Sequence, residues 1–383
     1  MSIKEEQKNN QDNYNENWII DTDPGVDDSF AIILAITFLK ENILALSIAN
    51  GNVGIDGCYK NAKKICAIKD FHIPIYKGVY NNISGLKFEA SDFHGKDGLL
   101  EISEFDGYEN RYNEEKILFQ NFKNLRNNII EKYSPLKIIE LSYEFPKMLN
   151  ILACAPLTNL AVALMLDPSL PERINKIIIM GGSYSSLGNI KSNTEFNFAC
   201  DPIAAKKVFS SFNKYHNEIS LYPWESCLQH LINRDHLDLL GTSKFFEYHN
   251  KINYYNDKID NENLESERNC KGNDTRRYIE KIILKKEFFP ESGIFADFGS
   301  AVYMINKKSL TKSKKSYVDI SIDSGINNFG QLIMESNYIM NKNFGSKDIK
   351  DNNADDHHRK KVEIIMSLDK DIYYDSFIKM SEN

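Results

Sequence analysis

Short apolar runs alternate with amphipathic segments along the first 222 residues of this chain. The runs are short and rich in β-branched residues, which predicts buried strands, whereas apolar positions three and four residues apart predict helices. The predicted strands are 18–20, 43–49, 73–77, 151–155, 176–180 and 218–222. The predicted helices are one that begins at Asp27, and 58–68, 157–166 and 202–209. This alternation predicts an α/β fold, with a mostly parallel central sheet covered by helices on both faces.

Four polar segments interrupt the pattern or precede it. We expect residues 1–17 to be a disordered polar leader, because they carry no apolar core. Residues 18–383 are then one domain, since every candidate for chemistry falls at the end of a predicted strand of a single alternating unit. Its polar insertions are predicted near 85–134, 255–277 and 342–361.

Composition narrows the class of protein further. The chain has 383 residues, of which 42% are hydrophobic, and a formal net charge of −7. This is globular composition, and it offers no support for a nucleic-acid partner, which usually meets a basic patch. The lysines at 307–308 and 312–315 alternate with hydroxyl residues and not with aromatics, so we interpret them as solvated loop.

Cellular location is suggested by two further features. The longest apolar stretch, 30–39, is about half the length of a membrane span, and the polar start does not resemble a signal peptide. The six cysteines have no CxxC spacing and several lie inside apolar runs, which favours free, buried thiols. We therefore expect a cytoplasmic protein with no membrane contact.

An aspartate cluster is the strongest chemical signal. Asp21, Asp23, Asp27 and Asp28 lie within DTDPGVDD, which follows a predicted strand and opens a predicted helix. Carboxylates packed this closely repel one another, and a hard divalent cation relieves the repulsion. A DD pair alone is more often a helix start, and the other two aspartates can shape a turn. The full pattern after a buried strand favours a cation site at the carboxyl edge of the sheet.

The same residues carry a family resemblance. DTDPGVDDSFAIILA resembles the opening signature of the nucleoside hydrolases, enzymes that cleave the N-glycosidic bond of ribonucleosides. Further similar segments follow in the family's order, namely SIANGN (47–52), ACAPLTNLA (153–161), IIIMGGSYSSLGN (177–189), TEFNFACDP (194–202) and FADFGSAVY (295–303). The resemblance implies an open Rossmann-like fold and Ca²⁺-dependent hydrolysis of a ribonucleoside to ribose and free base.

The resemblance also assigns roles to particular residues. It implies that Ca²⁺ is held by Asp23, Asp28, Asp297 and the main-chain carbonyl of Cys154, where relatives usually have threonine. It makes Asp23 the group that accepts a proton from the attacking water. Relatives are homodimers or homotetramers, which implies a homo-oligomer here.

Sugar recognition is implied for a second set of residues. By resemblance, ribose hydroxyls are bound by Asp27, Asn52, Asn189, Glu195 and Asn197, and His94 lines the sugar and base pocket. Considered alone, Asn52 and Asn189 are also typical turn residues, and a loop histidine is more often simply exposed.

The pattern breaks immediately before the late aspartate. Many relatives carry a histidine there that protonates the leaving base, whereas this chain has Ala296. Four residues in flanking segments are candidates to replace it: His230, His236, Tyr254 and Tyr255. Otherwise the enzyme acts only on good leaving groups, or the chain is a weak or inactive riboside-binding or metal-binding protein. A phosphohydrolase with Asp21 or Asp23 as nucleophile is a further alternative, which the later segments do not fit.

Overall fold

The secondary structure was obtained from a computed structural model, which describes residues 16–113, 133–185, 187–212, 215, 217–240, 274–323, 328–335 and 359–382. The strands are β1 (Asn17–Thr22), β2 (Ile43–Ile48), β3 (Ile75–Lys77), β4 (Leu149–Ala153), β5 (Ile174–Met180), β6 (Glu218–Tyr222), β7 (Ile232–Asn233), β8 (Ser292–Gly293), β9 (Leu310–Ile320), β10 (Leu332–Glu335) and β11 (Val362–Leu368). The helices are α1 (Val26–Leu39), α2 (Gly54–Ile68), α3 (Ser91–His94), α4 (Ser134–Glu144), α5 (Thr158–Leu166), α6 (Phe196–Cys200), α7 (Pro202–Phe212), α8 (Trp224–Cys227), α9 (Arg234–Leu240), α10 (Asp274–Ile283), α11 (Ala296–Ile305) and α12 (Lys370–Glu382).

Nine of the strands in the described ranges form one sheet, in the order β10-β9-β11-β6-β5-β4-β1-β2-β3. Neighbours from β3 to β11 in this order pair in parallel, and β9 and β10 are antiparallel additions at one edge. The chain winds outward from β1 to β3, then returns to place β4 on the other side of β1. The strand order therefore reverses between β1 and β4, the position where open α/β sheets bind ligands.

Helices cover both faces of the sheet, as the sequence predicts. Successive strand residues face opposite sides, so Ile20 and Leu152 join one apolar cluster while Ile19 and Ile151 join the other. Helices α1, α2, α11 and α12 contribute to the first cluster, and α4, α5 and α7 contribute to the second. Because these central strands are buried on both faces, they read as continuous apolar runs. The predicted mostly parallel α/β fold is confirmed.

The lysine-rich segment corrects the sequence interpretation. Residues 312–315 are not a loop, because they lie within the long strand β9, and Lys307 and Lys308 lie in a 3-10 turn. Residues 311–315 are solvent-exposed on both sides of the strand, so no apolar alternation marks it. Lysine on an outer strand also discourages pairing with another chain. The prediction of solvation was right and the prediction of loop was wrong.

The predicted polar segments fall largely outside the described residues. Residues 1–15 of the leader, 114–132 of the first insertion, 255–273 of the second and 342–358 of the third are among those not described. Residues 85–113 are described, and they contain α3 and two 3-10 turns. Leu99, Leu100 and Phe105 of this segment are buried in the first apolar cluster. The segment is therefore part of the folded core and carries His94 to the site.

The cysteines and the helix lengths also bear on the sequence predictions. Cys58, Cys66, Cys154, Cys200 and Cys227 are free and buried, as predicted. Within the described part of the chain, none of the helices combines the length and apolar character needed to cross a bilayer.

Asn159, at the start of α5, joins β1, β2 and the loop after β3 beneath the carboxyl edge of the sheet. Its Nδ2 donates to Asp21 Oδ1 at 2.9 Å, to Ser47 Oγ at 3.2 Å and to the Ile48 carbonyl at 3.1 Å. Its Oδ1 accepts the Val79 N–H at 3.0 Å. Asn159 is completely buried, so these bonds satisfy polar groups that water does not reach.

We predict that Asn159→Ala lowers the free energy of unfolding by about 2–4 kcal/mol, because it opens a cavity and leaves buried polar groups unsatisfied. Urea denaturation measures the change. Asn193→Ala is the matched control, since the Asn193 amide makes an exposed bond to Asn328, and it is expected to cost less than about 0.5 kcal/mol. Equal losses in the two variants would contradict the role assigned to Asn159.

Candidate active site

The turn between β1 and α1 packs its aspartates against the following loops. Gly25 N–H donates to Asp28 Oδ2 at 3.0 Å, which folds the turn back onto the first turn of the helix. A Cβ on Gly25 would lie 2.8 Å from Asn52 Nδ2 and 2.9 Å from His94 Nδ1. Only glycine therefore allows the three segments to approach one another this closely.

The loop after β2 fixes these aspartates from the side. Asn52 N–H donates to Asp23 Oδ2 at 2.9 Å, and Asn52 Nδ2 donates to the Asp23 carbonyl at 2.9 Å and to Asp28 Oδ2 at 3.1 Å. The neighbouring Gly51 has no room for a side chain, since a Cβ would fall 1.9 Å from Asp23 Oδ2. Asn52 thus holds the carboxylates in place in addition to facing the cavity.

Helix α11 brings the late aspartate to the early ones. Asp27 Oδ2 accepts the backbone N–H of Ala296 at 3.2 Å and that of Asp297 at 3.4 Å, at the positive end of this helix. Carboxylate oxygens of Asp27, Asp28 and Asp297 all lie within 4.8 Å of one another. The resemblance names Asp23 instead of Asp27 in this group. The role of Asp27 in tethering α1 to α11 has no signal in the sequence.

The loop after β4 supplies the Cys154 carbonyl. Cys154 N–H donates to the Asp21 carbonyl at 2.8 Å, which continues the pairing of β1 with β4. The Cys154 carbonyl accepts Asn197 Nδ2 at 3.2 Å, and the thiol contacts Ser300 Oγ at 3.4 Å. The thiol is therefore turned into the protein, and the main-chain oxygen is held by Asn197.

Glu195 begins helix α6 and fixes the glycine turn after β5. Its Oε1 accepts the Asn197 N–H at 2.8 Å, and its Oε2 accepts the N–H groups of Phe198 and Gly182 at 3.2 and 2.8 Å. Burial nevertheless raises the pKa of this carboxyl to about 7, with the backbone bonds acting in the opposite direction. Glu195 thus serves as a helix cap and also lines the cavity.

His94 is buried, although sequence alone favours an exposed loop residue. The Val26 N–H donates to its Nδ1 at 3.1 Å, so the ring hydrogen sits on Nε2, which lies 3.9 Å from Asp27 Oδ1. Burial lowers the pKa of His94 to about 4, and the charge of Asp28 opposes this only in part. His94 is therefore neutral at pH 7 and faces Asp27 as an uncharged donor.

The clustered carboxyls hold their protons far more tightly than usual. Burial, followed by the charge of Asp28, raises the pKa of Asp23 well above its ordinary value. Burial and the charges of Asp27 and Asp28 do the same to the pKa of Asp297. The pKa of Asp28 rises to about 6, first through burial and then through the charge of Asp27. Ionising all four groups together is unfavourable without a compensating positive charge.

The donor set fits a hard cation. Asp23 Oδ1 and Asp297 Oδ1 are buried and have no hydrogen-bond partner among the described residues. Such orphaned oxygens are costly, and a divalent ion with oxygen ligands would satisfy them. All available donors are oxygens, which suits calcium, magnesium or manganese better than softer metals. The structure thus provides an acidic cluster of the composition that a metal site requires.

These groups line a single cavity of about 540 Å³. Nine of the ten predicted site residues face it, namely Asp23, Asp27, Asn52, His94, Cys154, Asn189, Glu195, Asn197 and Asp297. Asp28 is the exception, being fully buried behind Gly25 and Asn52. The volume suits a small organic ligand.

Apolar side chains form the rest of the cavity wall. Phe93, Met180, Trp224, Ile294 and Ala296 line it. Trp224 is half-buried at the cavity wall. Phe93, Met180 and Ile294 were not assigned to the site from the sequence, because isolated apolar residues carry no sequence signal for a ligand.

Of the four residues that could replace the missing histidine as proton donor, the structure describes the side chain of His230. His230 does not line the cavity, since its Nδ1 contacts the Ser226 carbonyl at 2.7 Å and its Nε2 contacts the Leu368 backbone. It is a buried structural residue, and its proposal as proton donor was wrong. The structure does not describe the side chain of His236. Tyr254 and Tyr255 lie outside the described residues altogether.

We predict that Asp297→Asn stabilises the metal-free protein at pH 8. The folded-state pKa lies above the unfolded value near 3.9, so the stability linked to this carboxyl is full at low pH and is lost as pH rises. Asparagine keeps the shape without the charge, and the expected gain is about 1–3 kcal/mol at pH 8 with little change at pH 4. Thermal unfolding in a chelator at both pH values measures this.

Asp201→Asn is the matched control for that experiment. Asp201 is equally buried, but its oxygens accept two bonds each, from Ile83 N, Thr158 Oγ1, Ser84 N and Ala204 N. An amide turns one of these acceptors into a donor, so this variant should lose about 1–3 kcal/mol. A loss of stability in both variants would contradict the repulsion that we infer at Asp297.

Curated relatives match part of the chain. A uridine nucleosidase from Arabidopsis thaliana is 36% identical over 198 residues, which cover 51% of this chain and 54% of the relative. A pyrimidine-specific ribonucleoside hydrolase from Escherichia coli is 30% identical over 193 residues, covering 50% and 56% respectively. The chain therefore aligns with about half the length of the curated relatives it matches.

Comparisons of fold and of family extend further along the chain. A solved plant nucleoside hydrolase superimposes with a TM-score of 0.70 at 22% identity, covering 96% of this chain and 100% of that one, which shows a shared fold. The family model for inosine-uridine preferring nucleoside hydrolases matches residues 18–375, which include every segment that carries the site. This chain therefore belongs to the inosine-uridine preferring nucleoside hydrolase family.

Proposed function

We propose that this protein hydrolyses the N-glycosidic bond of a ribonucleoside, giving ribose and a free base. The observation that carries the proposal is the convergence of Asp23, Asp27 and Asp297 with the Cys154 carbonyl on one cavity of ligand size. The names of the relatives, a uridine nucleosidase and a pyrimidine-specific hydrolase, support uridine as the first substrate to test.

Ca²⁺ is the proposed cofactor. Asp23, Asp28, Asp297 and the Cys154 carbonyl would hold it, which is the set given by the family resemblance. The orphaned Asp23 Oδ1 and Asp297 Oδ1 support this set, and Asp27 lies close enough to contribute. When bound, the ion would neutralise the carboxylates and lower the pKa of a water molecule at the site.

Asp23 is proposed as the general base. Its Oδ2 accepts the Asn52 N–H, which holds the carboxylate in place at the proposed ion site, where it would take a proton from water. Glycosidic cleavage passes through an oxocarbenium-like state, and carboxylates around the sugar stabilise its positive charge. Deprotonated Asp23 and Asp27, both facing the cavity, would therefore favour bond breaking.

Ribose recognition is proposed for the polar residues of the wall. Asn189 and Asn197 face the cavity, as do Asp27, Asn52, His94 and Glu195. The Asn197 amide nitrogen is already bound to the Cys154 and Met180 carbonyls, so its Oδ1 is the atom to receive a sugar hydroxyl. The Nε2–H of neutral His94 is a donor for a hydroxyl oxygen.

Ala296 favours a second candidate function. It lines the cavity at the position where many relatives carry a proton-donating histidine, and alanine transfers no proton. A catalytically weak or inactive riboside-binding protein on the same scaffold is therefore the alternative. General acid help contributes about 10²–10⁴-fold, so its loss would slow the enzyme and still allow cleavage of ribosides with good leaving groups.

Assembly and location complete the proposal. We propose a cytoplasmic homodimer or homotetramer that acts on a small-molecule ribonucleoside. Sedimentation analysis of the full chain would measure the assembly.

We predict that the wild-type protein cleaves p-nitrophenyl riboside faster than uridine or inosine, and that Asp23→Asn lowers kcat for each substrate by about 10²–10⁴-fold. The amide keeps the hydrogen bond from Asn52 but accepts no proton. Steady-state assays measure both effects. Asp56→Asn is the control, because Asp56 forms an exposed ion pair with Lys77, and full activity is expected.

Two outcomes would decide against this proposal. If wild-type protein cleaves none of the three substrates while ribose still binds, the riboside-binding alternative stands. If Asp23→Asn retains wild-type kcat, Asp23 is not the base.

We predict that Ca²⁺ raises the melting temperature much more at pH 8 than at pH 5. The pKa of Asp28 is about 6 and those of Asp23 and Asp297 are raised, so stability linked to these groups is full near pH 4 and is lost as pH rises through about 6. Calcium restores it at pH 8, whereas at pH 5 it must displace protons. Thermal unfolding with calcium or chelator measures the shift, and equal shifts at both pH values would refute the proposed ligand set.

A further inference from the structure

Glu225 is a buried carboxylate outside the aspartate cluster, and the family resemblance gives it no role. We propose that it is a positioning residue that holds residues 183–185 and 187–190 in the conformation that completes the substrate cavity. The inference rests on the proposed function, because it concerns binding of the same ribonucleoside.

Three donors converge on one oxygen of this carboxylate. Glu225 Oε1 accepts Ser183 Oγ at 2.8 Å, the Ser185 N–H at 2.6 Å and Ser185 Oγ at 2.8 Å. Ser183 Oγ in turn accepts the Leu187 N–H at 3.1 Å, which carries the constraint further along the segment. Glu225 is only 6% exposed, so these bonds replace water as the partners of Oε1, whereas Oε2 has no hydrogen-bond partner among the described residues.

The anchored segment leads directly into the cavity wall. Gly188, Asn189 and Ile190 line the cavity, although residues 187, 189 and 190 are also exposed to solvent. Asn189 Oδ1 accepts the Phe196 N–H at 2.8 Å, which fixes the far end of the segment. Glu225 therefore supplies the inward attachment at the near end.

The same helix turn carries a second cavity residue. Trp224 immediately precedes Glu225 and lines the cavity, and its N–H donates to the Gly182 carbonyl at 2.9 Å. The Glu225 bonds and this backbone bond fasten α8 to the segment after β5 at adjacent positions. Loss of the carboxylate would let Trp224 and Asn189 shift relative to the aspartates on the opposite wall.

We expect loss of the Glu225 carboxylate to weaken substrate binding, because Asn189 would no longer be held in position. Glu225→Ala should raise KM for p-nitrophenyl riboside by about 10- to 100-fold, the usual effect of losing a partner that orients a contacting group. The fall in kcat should be smaller, because Asp23 and its partners do not touch Glu225. Glu225→Gln keeps the shape and an oxygen acceptor, and it should recover most of the lost affinity.

A double-mutant cycle with Asn189→Ala separates positioning from general stability. If Glu225 acts through this segment, Glu225→Ala has little further effect on KM when Asn189 is already alanine. Asp167→Ala is the matched control, since Asp167 likewise accepts the N–H and Oγ of one serine, Ser169, far from the cavity. It should lower the melting temperature and leave KM unchanged.

Three results would overturn the proposal. The first is a lower melting temperature for Glu225→Ala with unchanged KM, which is a structural role only. The second is an equal rise in KM with and without Asn189. The third is unchanged amide hydrogen exchange at Ser185 and Leu187 in Glu225→Ala, a readout that needs no activity. If the wild-type protein cleaves no riboside, the proposed function is wrong. Amide hydrogen exchange would still decide whether Glu225 holds the segment.

Discussion

Repulsion among buried carboxyl groups is the constraint around which this molecule is arranged. Asp23, Asp27, Asp28 and Asp297 lie together at the carboxyl edge of the sheet, where burial and mutual charge raise their pKa values. Ionisation of such a cluster is unfavourable without a compensating positive charge. Backbone N–H groups, Asn52 and the start of α11 hold the carboxyl groups in place. Burial of these carboxyl groups lowers the stability of the metal-free protein, and it keeps their oxygens out of water at the site.

The strand order explains why the cluster forms at this position. Because β1 lies between β2 and β4, loops leaving β1 and β4 diverge to opposite sides and leave a crevice. Helix α11 then crosses from late in the sequence to pack on α1, which brings Asp297 within reach of Asp28. Sheet topology supplies the opening, and the packing of one helix pair supplies the last carboxylate.

The part of the cavity wall formed by the segment after β5 is held by hydrogen bonds to buried carboxylates. Glu195 and Glu225 are both buried. Glu195 accepts backbone N–H groups on both of its oxygens, and Glu225 accepts backbone and serine donors on its Oε1, all around the segment after β5. They act as fixed anchors for a wall that also carries Asn189 and Trp224. Ala296 lies between the two walls, and its small apolar side chain marks the place where this chain departs most clearly from the family pattern.

Local sequence determined the strands and helices predicted up to residue 222 and the DTDPGVDD turn, because apolar periodicity and the needs of a tight turn are short-range properties. Family-like segments also predicted ten candidate site residues, nine of which line the cavity. Only tertiary structure decided that Asp27 ties α1 to α11, that His94 is buried and neutral, and that His230 is structural. It also showed that the lysine-rich residues 312–315 form part of strand β9, and it is the basis for the anchoring role of Glu225. These features depend on contacts between residues distant in sequence, and no local pattern records which partner a buried polar group will meet.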